Sequence, residues 1–135
     1  MDIEIRDTCT LLQVFDMPIS LQFYCDILGF KILHQAGPEN DIGWVWLQNG
    51  HINLMLNTAY ELPDRPGLPD PIRIASHEDT CIYFSCEDVD GIYRYLVSKS
   101  IHLNPPAITP YRMKQLYLRD PDGFNLCFQW SMPQR

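Results

Sequence analysis

Apolar residues crowd the stretch Thr8–Val14 without clean polar alternation, the pattern of a strand covered on both faces. Asp16 then stands where a helix cap is needed, with Pro18 tolerated in the first turn. Ile19, Phe23, Tyr24, Ile27 and Leu28 recur at three- and four-residue spacing, which predicts a helix that Gly29 stops. Phe30–Gln35, Trp44–Gln48 and Ile52–Asn57 read as strands, the last two joined by the Asn49-Gly50 hairpin signal. The order is β-α-β-β-β.

Four prolines, Pro63, Pro66, Pro69 and Pro71, then remove backbone donors and predict a linker over about 59–78. Beyond it the pattern returns. Thr80–Cys86 reads as a strand, Asp88 caps a helix carrying Val89, Ile92, Tyr93, Leu96 and Val97, and strands follow at His102–Ala107, Met113–Arg119 and Asn125–Trp130. Asp120-Pro121-Asp122-Gly123 supplies the last turn. A shift of 72 positions lays Asp7-Thr8-Cys9 on Asp79-Thr80-Cys81, Asp16 on Asp88, and Ile52–Leu56 on Phe124–Phe128. One offset thus aligns a first strand, a cap and a last strand, as expected of a duplicated unit. The expected organisation is a single domain over 1–135, with module one at about 8–58 and module two at about 79–130.

These residues carry a resemblance. Val14-Phe15-Asp16, Phe23-Tyr24-Cys25-Asp26-Ile27-Leu28-Gly29-Phe30 and Asp120-Pro121-Asp122-Gly123-Phe124-Asn125-Leu126 are similar to segments of the vicinal oxygen chelate superfamily, which holds glyoxalase I, bleomycin-resistance proteins, fosfomycin-resistance proteins and extradiol dioxygenases. The resemblance covers roughly residues 8–130 and implies an α+β fold. Its two β-α-β-β-β modules would form a cupped mixed sheet, with modules often paired in a homodimer. It also implies, in metal-dependent members, one His, Gln or Glu ligand from the first and last strand of each module. The matching positions here are Cys9, Met55, Cys81 and Cys127.

Sulfur at those four positions departs from the family pattern, because hard and borderline divalent cations are ordinarily held by carboxylate and imidazole. Two readings follow. The residues line a small apolar pocket, since free Cys is a frequently buried type and Met fills irregular space; or they form a soft site for Cu(I) or Zn²⁺. Strand alternation places Cys9 with Leu11 and Gln13, Met55 with Asn53 and Asn57, Cys81 with Tyr83 and Ser85, and Cys127 with Asn125 and Gln129. The opposite set, Leu12, Val14, Leu54, Leu56, Ile82, Phe84, Leu126 and Phe128, is expected to pack under the helices.

Neither carboxylate nor imidazole comes from those four strands, and neutral amides do not serve as general bases. Binding therefore has more support than catalysis, and no catalytic residue and no resident metal are assigned. The expected ligand contacts are Gln13, Trp44, Trp46, Asn53, Tyr83, Ser85, Asn125 and Gln129. Trp44 and Trp46 share one strand face and would stack a planar ligand or fill a seam. Tyr111, Arg112 and Lys114 read as exposed strand-end groups. His34, His51, His77 and His102 read as solvated, with His77-Glu78-Asp79 as a capped loop in preference to a cation site.

Composition narrows the partners. The 135 residues are 46% hydrophobic and 20% charged, enough apolar surface to fold, and the net charge of −7 disfavours nucleic acid and anionic membranes. The five Cys lack any Cys-x-x-Cys pair, which argues against a disulfide framework and fits reduced thiols in a cytoplasmic protein. The leading expectation is a homodimeric protein of the bleomycin-resistance type that sequesters a small organic molecule, with acidity favouring a cationic one. The alternatives are a metal-dependent lyase, isomerase or dioxygenase of the glyoxalase type, using His77 or His102, and a structural or partner-binding module.

Overall fold

The computed structural model describes residues 1–133 and contains two compact units, Met1–Leu68 and a second from Pro69 onward. In the first, β1 (Thr10–Val14) leads into α1 (Met17–Leu21), then β2 (Lys31–Ala36), β3 (Trp44–Asn49) and β4 (Ile52–Thr58). The sheet order is β1-β4-β3-β2, with β1 parallel to β4 and the other pairs antiparallel. Asp16 caps α1 as expected, its Oδ1 accepting the Ile19 N–H at 3.1 Å. The predicted long α-helix is altered, because α1 continues as a π-helical turn over Gln22–Ile27. Met17 and Ser20 of α1 and Phe23 and Tyr24 of the widened turn are buried, whereas Ile19, expected on the apolar stripe, is 52% exposed. Tyr24 packs edge-on against both Phe23 and Phe30, with centroids 5.0 and 6.0 Å away.

β1 corrects a second expectation. It alternates, with Leu12 and Val14 buried and Leu11 43% exposed, so its sheet has one face toward the core and one open. Leu54 and Leu56 of β4 and Val45 and Leu47 of β3 complete the apolar face.

In the second unit β5 (Cys81–Ser85), β6 (Ala107–Ile108), β7 (Met113–Arg119) and β8 (Asn125–Ser131) form a sheet of order β5-β8-β7-β6. The stretch expected as a linker holds a short 3-10 turn at Leu62–Asp64, α2 (Pro71–Ser76) and another 3-10 turn at His77–Asp79. Asp70 makes this possible by accepting the Ile72 N–H at 2.9 Å, and Pro71 needs no donor in a first turn. α3 (Val89–Ser98) is capped by Asp88 and packs on β7 and β8 through Val89 and Leu96, while Val97, expected on the apolar stripe, is exposed. The strand expected at His102–Ala107 is reduced to Ala107–Ile108, since Pro105 and Pro106 supply no ladder donors.

Register shows the duplication in three dimensions. Leu11 pairs with Met55 and Tyr83 with Cys127, each partner displaced by 72 positions. Trp46 also opposes Met55, and Tyr117 opposes Cys127, so β3 maps onto β7 with 71 positions, one fewer. The turn before β8 is closely bonded. Asp120 is buried and its Oδ1 accepts the N–H groups of Asp122 and Phe124, both at 2.9 Å. Gly123 sits at φ +88°, where a Cβ would strike the Ile74 carbonyl, so Gly is required there.

Candidate active face of the sheets

The open face of each sheet gathers the residues that alternation assigned to it, and each unit builds its own polar surface. In the first unit Asn53, Met55 and Asn57 lie half-buried on β4, beside Trp44, Trp46 and Gln48 of β3. The Trp46 indole N–H donates to Asn53 Oδ1 at 3.0 Å, and Gln48 Nε2 donates to the same oxygen at 3.3 Å. Asn53 thereby ties β3 to β4 on this face. Gln13 is exposed on β1, opposite Asn57, and Cys9 is half-buried just before that strand. His34 opposes Trp46 across the β2–β3 ladder, its ring 5.8 Å from the indole. The outer strand thus places an imidazole on the polar face, a contribution that inspection of first and last strands alone does not reveal.

The second unit carries a hydrogen-bond chain. Tyr83 and Tyr117 meet hydroxyl to hydroxyl at 3.1 Å, Tyr117 donates to Gln115 Oε1 at 3.2 Å, and Gln115 Nε2 donates to Gln129 Oε1 at 2.9 Å. The Tyr111 hydroxyl accepts a second, longer bond from Gln115 at 3.4 Å. Tyr83 and Tyr117 remain about half exposed, so this chain faces solvent at one end and the sheet at the other. The bond to Tyr83 pushes the Tyr117 phenol well above its ordinary range, and burial of the oxygen adds to it. The Tyr117 hydroxyl stays protonated in neutral solution.

Gln115, Tyr117 and Arg119 escaped the sequence reading. The available signal was the match of β7 to the strand bearing Trp44 and Trp46, hidden by the one-residue change of offset. Ser85 is exposed at the edge, and Asn125 donates to the Glu78 carbonyl at 2.7 Å. Arg119 pairs with the Glu78 carboxylate. A cleft of about 780 Å³ opens beside them, lined by His102, Asn104, Tyr117, Arg119 and Asn125 among others.

The four sulfur positions sit on these faces with different exposure. Cys9, Met55 and Cys81 are half-buried, whereas Cys127 is fully buried. Burial raises the thiol pKa of Cys9, Cys81 and Cys127, so each is held in its protonated form, a poor ligand and a poor nucleophile. Tyr117 bonds toward Cys127 and opposes the shift only in part. This donor set does not fit the hard or borderline cations of metal-dependent relatives. Among the described residues no three or more His, Cys, Asp and Glu side chains are grouped to hold a metal ion.

The remaining sequence candidates hold structure together. His77, expected to be solvated, is half-buried, stacks on Phe124 at 3.9 Å and places Nδ1 2.7 Å from the Asp122 carbonyl. Glu78 is committed to Arg119, so His77-Glu78-Asp79 is tied to its own unit. Lys114 pairs with Asp90 at 2.6 Å, and Arg112, at φ +63°, donates to the Pro133 carbonyl at 3.3 Å. His51 and His102 are exposed.

The pattern of a repeated unit with an open polar face is matched by a family model for the glyoxalase/bleomycin resistance protein/dioxygenase superfamily over residues 7–128. The chain belongs to that superfamily. It is 29% identical over 114 residues to the uncharacterized protein YaeR of Escherichia coli strain K12, covering 82% of this chain and 84% of that one. A bleomycin resistance determinant encoded on transposon Tn5 shares the fold with a TM-score of 0.70 and 23% identity, over 96% of this chain and 100% of the other. A bleomycin-binding protein complexed with bleomycin aligns with a TM-score of 0.69 and 23% identity, over 95% and 100% of the two chains. The expected α+β architecture is therefore that of its superfamily. No helix among the described residues is long and apolar enough to cross a membrane.

Proposed function

We propose that this protein binds and sequesters a small organic molecule on the polar faces of its sheets, without metal-assisted chemistry. The observation that carries the reading is the chain Tyr83–Tyr117–Gln115–Gln129, which offers hydroxyl and amide groups held in fixed positions. Such a surface recognises donors and acceptors on a ligand, and it lacks a tunable base within the chain itself. The resemblance in fold to bleomycin-binding proteins supports the same reading, as does the poor match of raised-pKa thiols to a hydrolytic or isomerising metal. Gln13, Trp44, Trp46, Asn53, Tyr83, Ser85, Asn125 and Gln129 are the contacts we assign, now joined by Gln115 and Tyr117.

A net charge of −7 favours a cationic ligand through long-range attraction. The proposal extends to a cytoplasmic homodimer. β2, an edge strand exposed along all six residues and bearing Ile32 and Leu33, gives a second copy an apolar edge to cover. Calorimetric titration against cationic aromatic glycopeptides and neutral controls tests the function. Saturable binding that is unchanged by a chelator is expected. Metal-dependent turnover of a candidate compound overturns the reading, and sedimentation at micromolar concentration tests the dimer.

A further inference from the structure

A cavity of about 390 Å³ lies wholly within the first unit, away from the polar sheet face, where the end of β1 meets the start of α1. Phe15, Tyr60, Ile42 and Leu62 give it apolar walls, and Asp16, Glu39, Asp41 and Arg65 bring charge to it. The two rings meet edge to face at 6.4 Å. Arg65 already shows what these walls accept. Its guanidinium lies over the Phe15 ring, 5.2 Å from the centroid, with Nη1 3.5 Å from Asp16 Oδ2.

With Arg65 and Asp16 matched, two carboxylates are left over. Neither Glu39 nor Asp41 has an ion-pair partner among the described residues. The loop that presents them is braced beforehand. Asp41 N–H donates to the Pro38 carbonyl at 2.9 Å, Gly43 N–H to Ala36 at 3.0 Å, and Thr58 N–H to Gly43 at 2.8 Å. A ligand entering here meets a preformed wall, so little ordering entropy opposes it. An anion would face two uncompensated like charges, while a neutral apolar molecule would leave both carboxylates unused.

We propose that this cavity is a second binding site, one that takes a small organic cation with an apolar body. Glu39 and Asp41 hold the charge, an amidinium, guanidinium or ammonium, and Phe15 and Tyr60 pack on the body. The site stands independently of any ligand on the sheet faces.

Benzamidinium, benzyl alcohol and benzoate are the probes, titrated into the full chain at low ionic strength by calorimetry, with side-chain NMR shifts locating the contact. Benzamidinium is expected to bind saturably, to shift the Phe15 and Tyr60 rings and the Ile42 and Leu62 methyls, and to exceed both other probes in affinity. The Glu39→Gln/Asp41→Asn pair is expected to weaken it by about tenfold or more. Arg65→Ala, which frees Asp16 and the Phe15 face, is expected to retain or tighten it. The amide spectrum of each variant verifies folding. Equal affinity for benzyl alcohol, indifference to the double substitution, or shifts confined to Tyr83 and Tyr117 would overturn the proposal. So would preferential binding of benzoate that Arg65→Ala abolishes, which identifies an anion site instead.

Discussion

Tyr117 concentrates the chemistry of the second unit in one hydroxyl. It bonds to Tyr83 and Gln115 at once, and the bond to Tyr83, with burial beside it, favours its neutral form. The folded-state pKa is therefore raised above the unfolded value, about 10 for a free phenol. The resulting stability is present in full below pH about 10 and is lost as pH rises through the raised value. An ultraviolet titration is expected to show Tyr117 ionising above the range of a free phenol, and Tyr83→Phe to return it toward that range. Tyr83→Phe is also expected to weaken ligand binding on that face without unfolding the protein. At Asp122 the demand is structural. The carboxylate is nearly fully buried and Arg73 Nη1 lies 2.9 Å away, so Arg73→Ala would remove a charge-assisted bond from a buried group. A loss on the order of 3 kcal/mol in denaturant unfolding is expected.

At the scale of elements, sequence periodicity located most strands to within a residue or two, because alternating apolar positions and turn residues act locally. Met113–Arg119 coincides with β7, and the hairpin at Asn49-Gly50 stands where it was expected. The misses have tertiary or backbone causes. Ile19 and Val97 fit a helical stripe, yet the π turn after α1 and the packing of α3 on β7 and β8 through Val89 and Leu96 leave them outward. The helix α2 hides in a proline-rich stretch of which one residue, Pro71, in fact suits its first turn. Gly123 joins this element to the turn before β8 through the space beside Ile74. Gly123→Ala is expected to destabilise by more than about 1 kcal/mol, combining a left-handed backbone with a blocked Cβ, as thermal unfolding would show. In the core, Leu116→Ala and Leu56→Ala, both at fully buried positions, are each expected to cost about 2–5 kcal/mol.

For the whole molecule, the duplicated register is the organising fact. It repeats an open polar face and a covered apolar face in each unit, and it leaves sulfur where metal-dependent relatives present harder donors. Binding of an organic ligand to the folded chain is expected to raise the unfolding free energy by about 2.7 kcal/mol at a hundredfold excess over Kd. Mn²⁺ or Ni²⁺ is expected to leave the unfolding temperature unchanged. Scanning calorimetry with ligand, with metal and with chelator distinguishes these outcomes.

The amino-acid order by itself determined the repeat, the alternation that sorts Cys9 and Met55 to one face in the first unit and Cys81 and Cys127 to one face in the second, and the superfamily, since all three depend on spacing along the chain. Only tertiary structure decided that Tyr83, Tyr117, Gln115 and Gln129 form one chain, that His34 stands beside Trp46, and that Arg65 returns to the ring of Phe15. Apart from Gln115 and Tyr117, near neighbours on β7, the paired groups lie from about a dozen to fifty positions apart. Their meeting depends on strand register and loop paths, which no local pattern of side chains encodes.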